Sequence, residues 1–455
     1  WMFGNGLFLA GVSWVYVSIS VFGGMPGWLA AISTFLFCQL LSCFPAALGW
    51  IYCRWRLGEA SFSPMIATPL ANILFFAALY ALSDWLRDWV LTGFPWLALG
   101  YSQVAPSPLA GFAPLLGVFG LSLLSALAAA LLFYGRNGLI LLLVILLGGM
   151  GLRQITWTQA TAEPISVALV QGNIPQEIKF DPRHVAETLR IYRELIRDNP
   201  AQLTLLPETA FPMLLAAIPQ EYLQSLKQLA LRQNRNGQPG DILFGVVTGD
   251  KNSYQNSAVS LGHSPDQRYT KSHLVPFGEF SPVGFKWLLQ QMHIPLGDFS
   301  AGHSAQPPLY LSGQSLAVNI CYEDAFGGEL RARAGQSTIL VNISNTAWFG
   351  HSLAQPQHLQ MAQMRALESG RPVLRATNTG ITALISAQGN IQAALPAYTQ
   401  GVLRAEVRGY TGQTPFLFWG NAMAVLMATA IICGLWLRQR RAKVDHGNTD
   451  ALIPE

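Results

Sequence analysis

The chain has 455 residues, 51% of them hydrophobic and only 11% charged, with a mean hydropathy of +0.32. Ordinary soluble domains carry about 25% charged residues, so disorder is excluded and a wholly soluble chain is disfavoured. The net charge of +4, from 28 Lys+Arg against 24 Asp+Glu, is too small to argue for a nucleic-acid partner.

Charge is unevenly spread. Before residue 164 it falls only on Arg54, Arg56, Glu59, Asp84, Arg87, Asp88, Arg136, Arg153 and Glu163. A bilayer-spanning helix needs about 20 mostly apolar residues. Five stretches before residue 160 meet that need: about 2–21, 28–53, 64–86, 111–133 and 138–155. A sixth runs over 416–437. Because the chain opens on Trp1 rather than Met, one or two further N-terminal spans are expected before it.

Lys and Arg in short loops mark the cytoplasmic side. Arg54 and Arg56 follow the second stretch, Arg136 lies between the fourth and fifth, and RQRRAK follows the last. Alternation then places the 91–110 loop and the segment of about 164–412 on the opposite face. Arg87 and Arg153 depart from the bias; Asp84 and Asp88 flank Arg87 as neutralising partners. The expected layout is 1–160 spans, 161–412 an external catalytic domain, 413–438 a C-terminal span and 439–455 a basic cytoplasmic tail, with the chain disordered beyond Lys443. Cys321 is the lone cysteine of the external segment, so no disulfide forms within it.

From Ile165 the texture changes. Strands are predicted over 165–174, 241–249, 256–262, 316–324, 338–346 and 373–386, a strand and then a turn over 203–212, and helices over 184–198, 221–235 and 357–371. That alternation argues α/β layers around a mostly buried sheet.

Active groups in α/β folds gather at the carboxyl ends of strands. Glu208 follows TLLP, Lys271 lies in YTKSHLVPFGEF, and Cys321 closes the apolar run LAVNI. A cysteine at a strand end is placed like a nucleophile on a tight turn, and its thiolate is the attacking species. Glu208 is suited to take the thiol proton, and Lys271 to hold a thiolate and then an oxyanion. Taken singly, a buried cysteine is most often an inert small hydrophobe, and a Glu or Lys at a turn a solvated charge; the case rests on the three together. No metal or cofactor is expected: the histidines form no H-x-x-x-H pair and no phosphate-loop motif occurs.

The segments LVQGNIPQ, LLPETAFP, KSHLVPFGEFSP, NICYED and NTAWFGHSLAQPQHLQMAQMRALESGRPVLRATNTG together resemble the nitrilase-type domain of bacterial apolipoprotein N-acyltransferases. The order of spans, external domain, final span and basic tail matches as well. The resemblance implies a polytopic α-helical membrane region carrying an external α/β domain, a nitrilase-like αββα sandwich with a Glu-Lys-Cys triad. By motif, Glu208 is the base, Lys271 the cation and Cys321 the nucleophile; Glu279, Glu323 and Tyr322 are expected to support them. Trp348 and Phe180 are implied at the acyl entrance.

The implied reaction has two steps. Cys321 takes an acyl chain from a membrane phospholipid, phosphatidylethanolamine above all, as a thioester. The N-terminal amine of a diacylglyceryl-cysteine apolipoprotein then accepts it, giving a triacylated lipoprotein. The implied location is the bacterial inner membrane, with several spans and the catalytic domain in the periplasm. Three positions depart from the family pattern: Thr346 where many relatives have Asp, Thr379 where they have Asn, and Phe180 where they often have Trp. The alternative is a membrane-tethered carbon–nitrogen hydrolase using the same triad. A non-enzymatic binding module is disfavoured, because it predicts ionisable residues within the spans and these hold almost none.

Overall fold

The computed structural model describes residues 1–60, 69–232, 237–250, 253–280 and 299–450. The chain divides into two compact units. One comprises Trp1–Ala10, Leu36–Ile155 and the chain from Trp419; the other comprises Gly11–Phe35 and Thr156–Phe418.

The first unit is helical. Its elements include the helices Pro69–Leu86, Ala113–Leu131, Gly135–Leu152 and Ala422–Asp450; among the described residues five apolar helical stretches are long enough to cross a membrane, these four regions and Gly27–Trp55, which is shared with the second unit. Leu48, Phe75 and Leu79 form a small core bordered by Tyr52, Trp55 and Ile432. The charges kept among these apolar residues are paired, as their desolvation cost demands. Arg87 Nη2 meets Asp84 Oδ1 at 2.6 Å, while Asp84 Oδ2 accepts from Ser122 Oγ at 2.7 Å and from the Leu99 N–H at 2.8 Å.

Three expectations for the apolar region need correction, and part of a further stretch lies outside the described residues. The 2–21 stretch is not one helix: it bends by 48° between Met2–Val12 and Trp14–Phe22. The 416–437 stretch breaks where Gly420 takes φ +55, separating Pro415–Trp419 from Ala422–Asp450. The chain after Lys443, expected to be disordered, continues that helix to Asp450. Residues 64–68 of the third stretch lie outside the described residues, and its helix is seen from Pro69.

The α/β part of the second unit contains two sheets. Strands are numbered in chain order: β1 (Thr158–Gln171), β2 (Leu203–Leu205), β3 (Phe211–Leu214), β4 (Asp241–Asp250), β5 (Ser253–Gly262), β6 (Arg268–Thr270), β7 (Leu309–Leu311), β8 (Gln314–Ile320), β9 (Ile339–Ser344), β10 (Val373–Thr377), β11 (Ala383–Ile385), β12 (Ile391–Ala394) and β13 (Gly401–Gly412). The first sheet runs β13-β1-β2-β4-β5-β6, with β3 also on β4; the second runs β12-β11-β10-β9-β8-β7. β1, β2 and β4 are mutually parallel, as are β8, β9 and β10, and antiparallel strands border them.

Strand alternation builds the layers. Val167, Leu169, Leu205 and Leu243 of the first sheet pack against Val318, Ile320, Val341 and Leu374 of the second in one core. Their sequence neighbours point outward. Val170, Ile242 and Phe244 meet the helices Pro182–Asp198 and Gln220–Leu231 through Tyr192, Ile196 and Leu226. Ala317, Leu340 and Val373 meet the helices Gly327–Ala334 and Ala354–Ser369 through Leu330, Ala362 and Ala366. The result is the expected αββα sandwich. Its helices start as their sequences direct: Pro182 opens one behind Asp181, whose carboxylate accepts from the Arg183 N–H.

Several element expectations shift. The strand expected over 373–386 is two, β10 and β11, joined through Asn378–Gly380 and paired antiparallel; a Cβ at Gly380 would lie 2.3 Å from Thr346 Oγ1. The strand expected over 316–324 ends at Ile320. β5 begins at Ser253, three residues before expectation. The helix expected over 221–235 ends at Leu231, and 233–236 lie outside the described residues.

Candidate active site

The strand ends bring Glu208, Lys271 and Cys321 together. Glu208 stands in the turn between β2 and β3, which passes so close over β4 that a Cβ at Gly245 would lie 2.5 Å from Glu208 Cα. Lys271 directly follows β6, its N–H donating to the Asn256 carbonyl at 2.8 Å. Cys321 directly follows β8 and takes φ +54. All three are buried.

Lys271 Nζ lies 2.8 Å from Glu279 Oε2 and 3.5 Å from Glu208 Oε1. Asn256 Nδ2 donates to both carboxylates, at 2.7 Å to Glu208 Oε1 and 2.8 Å to Glu279 Oε1. The other oxygen of Glu208 accepts from the Asn345 N–H at 2.8 Å, and Glu279 Oε2 accepts from the Val275 N–H at 2.8 Å. Burial alone would lower Lys271, but the Glu279 and Glu208 charges outweigh it and hold the ammonium well above its usual value. It is therefore a permanent cation.

Cys321 behaves in the opposite way. Burial and then the neighbouring Glu208 charge push its thiol up, Lys271 pulls against them, and the thiol donates to Glu208. The balance of these effects favours the neutral thiol beside the Glu208 carboxylate. Its own carbonyl meets His358 Nε2 at 3.1 Å, and burial keeps that imidazole well below its usual value, hence neutral and donating.

Glu323 is in place but does not face the lysine. It accepts from the Ile320 N–H (2.7 Å), the Ser272 N–H (2.7 Å), Ser272 Oγ (2.8 Å), the His273 N–H (3.1 Å) and Tyr269 Oη (2.8 Å). One carboxylate thus binds the loop carrying Lys271 to the loop carrying Cys321. Tyr322 packs edge-on to Phe326 at 5.1 Å and to His273 at 5.7 Å. Trp348 lies in the 3₁₀ turn Thr346–Phe349. Phe180 is half-buried after the short helix Gln176–Lys179, and no hydrogen bond or ring contact joins it to the triad among the described residues. Of the two departures from the family pattern that bear on hydrogen bonding, Thr346 Oγ1 donates to Gln355 Oε1 at 2.8 Å, and Thr379 is buried beside Asn378.

Sequence reasoning missed Asn256, Asn345 and Lys179. A polar residue inside the strand NSAVSLG was the available signal for Asn256, and the lysine of NIPQEIK the signal for Lys179. Lys179 Nζ donates to the Glu208 carbonyl at 3.3 Å. Burial lowers it to about 7, against upward pulls from Glu208 and Cys321.

A base on the thiol, a fixed cation and a water-poor setting suit covalent acyl chemistry. Residues 166–416 match the family model described as carbon-nitrogen hydrolase, and residues 1–131 the one described as apolipoprotein N-acyltransferase N-terminal domain. A protein of Nitrosomonas europaea named apolipoprotein N-acyltransferase is 45% identical over 449 residues, covering 95% of this chain and 86% of its own. One of the same name from Ralstonia nicotianae is 43% identical, covering 97% and 84%. A solved carbon-nitrogen hydrolase superfamily protein of Xanthomonas campestris is 17% identical with a TM-score of 0.41, covering 59% of this chain and 97% of its own. With two family models in register along its length and relatives this similar end to end, the chain belongs to the apolipoprotein N-acyltransferase family.

Proposed function

We propose that this chain moves a fatty acyl group from a membrane phospholipid, through a thioester on Cys321, to the N-terminal amine of a diacylglyceryl-cysteine apolipoprotein. The observation that carries the reading is the gathering of buried Glu208, Lys271 and Cys321 at neighbouring strand ends, with Lys271 Nζ 3.5 Å from Glu208 Oε1, in a chain of this family.

In the first step Sγ attacks the ester carbonyl while Glu208 takes the thiol proton. Lys271 faces the oxygen on which charge develops. The C–O bond breaks, and the proton on Glu208 passes to the lysophospholipid alkoxide. In the second step the acceptor amine attacks the thioester carbonyl and gives a proton to Glu208. The C–S bond breaks, the thiolate recovers that proton, and an amide remains. Glu279, hydrogen-bonded to Lys271, keeps the ammonium in place through both steps. A thioester that must await an amine has to be screened from water, and the buried triad supports that. The positive residues in the short loops support a periplasmic catalytic domain on an inner-membrane protein, and the family supports a phospholipid donor such as phosphatidylethanolamine.

The test is mass spectrometry of the purified protein after incubation with phosphatidylethanolamine. An acyl adduct on Cys321 is expected, and a diacylglyceryl lipopeptide with a free amine should remove it. Cys321→Ser should keep the fold and form neither adduct nor product. Release of free fatty acid without transfer, or ammonia from a small amide, would instead favour the hydrolase alternative.

A further inference from the structure

The first apolar stretch is broken at Ser13. The helix Met2–Val12 gives way, across a 48° bend, to Trp14–Val17 and a π-helical turn Ser18–Phe22. Such turns are rare and gather at functional sites. In apolar surroundings a break also leaves main-chain groups that need partners. The α/β domain supplies them. Gln357 Nε2 donates to the Gly11 carbonyl at 2.9 Å, and Trp14 Nε1 donates to the same carbonyl at 3.1 Å and to Gln357 Oε1 at 3.2 Å. One turn on, Ser18 Oγ donates to the Trp348 carbonyl at 2.8 Å. The Trp14 ring lies 4.5 Å from Phe349, and Phe22 lies edge-on to Trp348 at 6.2 Å. Gly350, at φ +56, lets Val17 come so near that a Cβ there would lie 2.9 Å from Val17 Cγ1.

The turn so held begins one residue after Asn345, whose N–H sets Glu208 Oε2 at 2.8 Å. Gln355 fixes the front of that turn through Thr346 Oγ1 (2.8 Å) and the Thr346 carbonyl (3.0 Å). Gln355, Gln357 and His358 occupy one turn of the helix Ala354–Ser369, and His358 reaches the Cys321 carbonyl. The half-span is thus hydrogen-bonded to the turn, the turn follows Asn345 in sequence, Asn345 is hydrogen-bonded to Glu208, and the helix that holds the turn through Gln355 also meets the Cys321 carbonyl through His358.

We propose that the half-span Trp14–Phe22 is a positioning element for acyl transfer. Ser18 and Trp14 fix the Thr346–Phe349 turn and, through it, the Asn345 N–H that orients the Glu208 carboxylate. The proposal rests on the acyl-transfer reading above. It adds to it that the base is aligned from an apolar segment that lies nearly 200 residues earlier in the sequence and carries no catalytic group of its own.

The test uses the full chain in detergent and in phosphatidylethanolamine vesicles. One readout is the rate at which a water-soluble haloacetamide alkylates Cys321, which depends on Glu208 and on no lipid; Glu208→Gln sets its floor. The others are the kcat and half-saturating lipid concentration of thioester formation, and the thermal unfolding midpoint. Ser18→Ala removes the hydroxyl, and Trp14→Phe removes the indole donor while keeping a ring against Phe349. Each should lower alkylation and kcat together by about 5- to 10-fold, the scale of one lost hydrogen bond with a slight misplacement, with half-saturation unchanged. Ser18→Thr, which keeps the hydroxyl, should restore both.

Alkylation at the wild-type rate, or a change in half-saturation alone, overturns the proposal, since the segment would then only seat lipid. A lowered midpoint that Ser18→Thr restores without restoring alkylation overturns it as well, leaving a merely structural role. A wild-type protein that is alkylated at Cys321 yet forms no thioester refutes acyl transfer itself, and the alkylation comparison still judges the half-span.

Discussion

Each loop that carries a member of the Glu208, Lys271 and Cys321 cluster has a non-glycine residue in the left-handed region: Thr209 (φ +49) after Glu208, Phe277 (φ +63) two residues before Glu279, and Cys321 itself (φ +54). Such a conformation costs about 1–3 kcal/mol and persists only where the surroundings over-determine it. Glu323 is a large part of that determination, with donors from both loops. Glu323→Gln exchanges a charged acceptor for a neutral amide that also brings donors of its own. It should destabilise the fold by about 2–4 kcal/mol and depress thioester formation at least about 100-fold, measured by denaturant unfolding and by adduct formation. Lys179 gives a pH signature. Unfolded lysine keeps its proton to about 10.4, whereas the buried residue loses it near 7. Between those values the unfolded chain binds more protons, so this group's contribution to stability is full above about 10.4 and is lost as pH falls to about 7, by at most about 1.4 kcal/mol per pH unit. Relative to Lys179→Met, the wild-type unfolding midpoint should therefore fall as pH is lowered across that window; a constant difference removes the assignment. Glu208 and Cys321 stood out in sequence because each follows an apolar run, TLLP and LAVNI, whereas Lys271 stood out only through the segment KSHLVPFGEFSP that carries the family resemblance. Asn256 did not stand out: its two acceptors come from 48 residues before and 23 residues after it, a meeting that only tertiary structure makes.

Among the elements, the long strands and amphipathic helices announced themselves through periodicity, while β6 and β7, three residues each, are too short to carry any. β13 escaped for another reason. It pairs with β1 along nearly its whole length, Ile165 opposite Val407 and Val170 opposite Val402; its signal is the brief alternation of Leu403, Ala405 and Val407 with Arg404, Glu406 and Arg408, which lies outside the segments that carry the family resemblance. The broken first helix was hidden because a uniformly apolar run has no polar stripe to lose phase at Ser13. Glycine at one strand position has a sharp consequence. A methyl group at Gly245 would meet Glu208 Cα at 2.5 Å and the Thr209 nitrogen at 2.6 Å, both main-chain atoms that cannot rotate away. Gly245→Ala should leave β4 paired, with an unchanged far-ultraviolet circular dichroism spectrum, yet cut the rate of thioester formation by about 100-fold, the cost of displacing a catalytic group by about 1 Å. An unchanged rate would mean that the Glu208 turn yields without moving its carboxylate.

At the level of the whole molecule, composition alone separated an apolar helical part from an α/β part. The structure adds that residues 11–35 pack with the α/β domain, a division that no shift in composition marks. The helix Gly135–Leu152 leaves Leu139, Ile140, Leu143, Val144 and Leu147 between 51% and 59% exposed, a surface too apolar for water. Alkaline carbonate should therefore leave the protein in the membrane pellet and only detergent should release it; release by carbonate alone contradicts a spanning arrangement. The Glu323 bridge has a bearing on recombination. A chimaera that imports the stretch around Ser272 from a relative without the stretch around Ile320, or the reverse, inherits half a clasp, so productive crossovers in this family should fall outside residues 269–323.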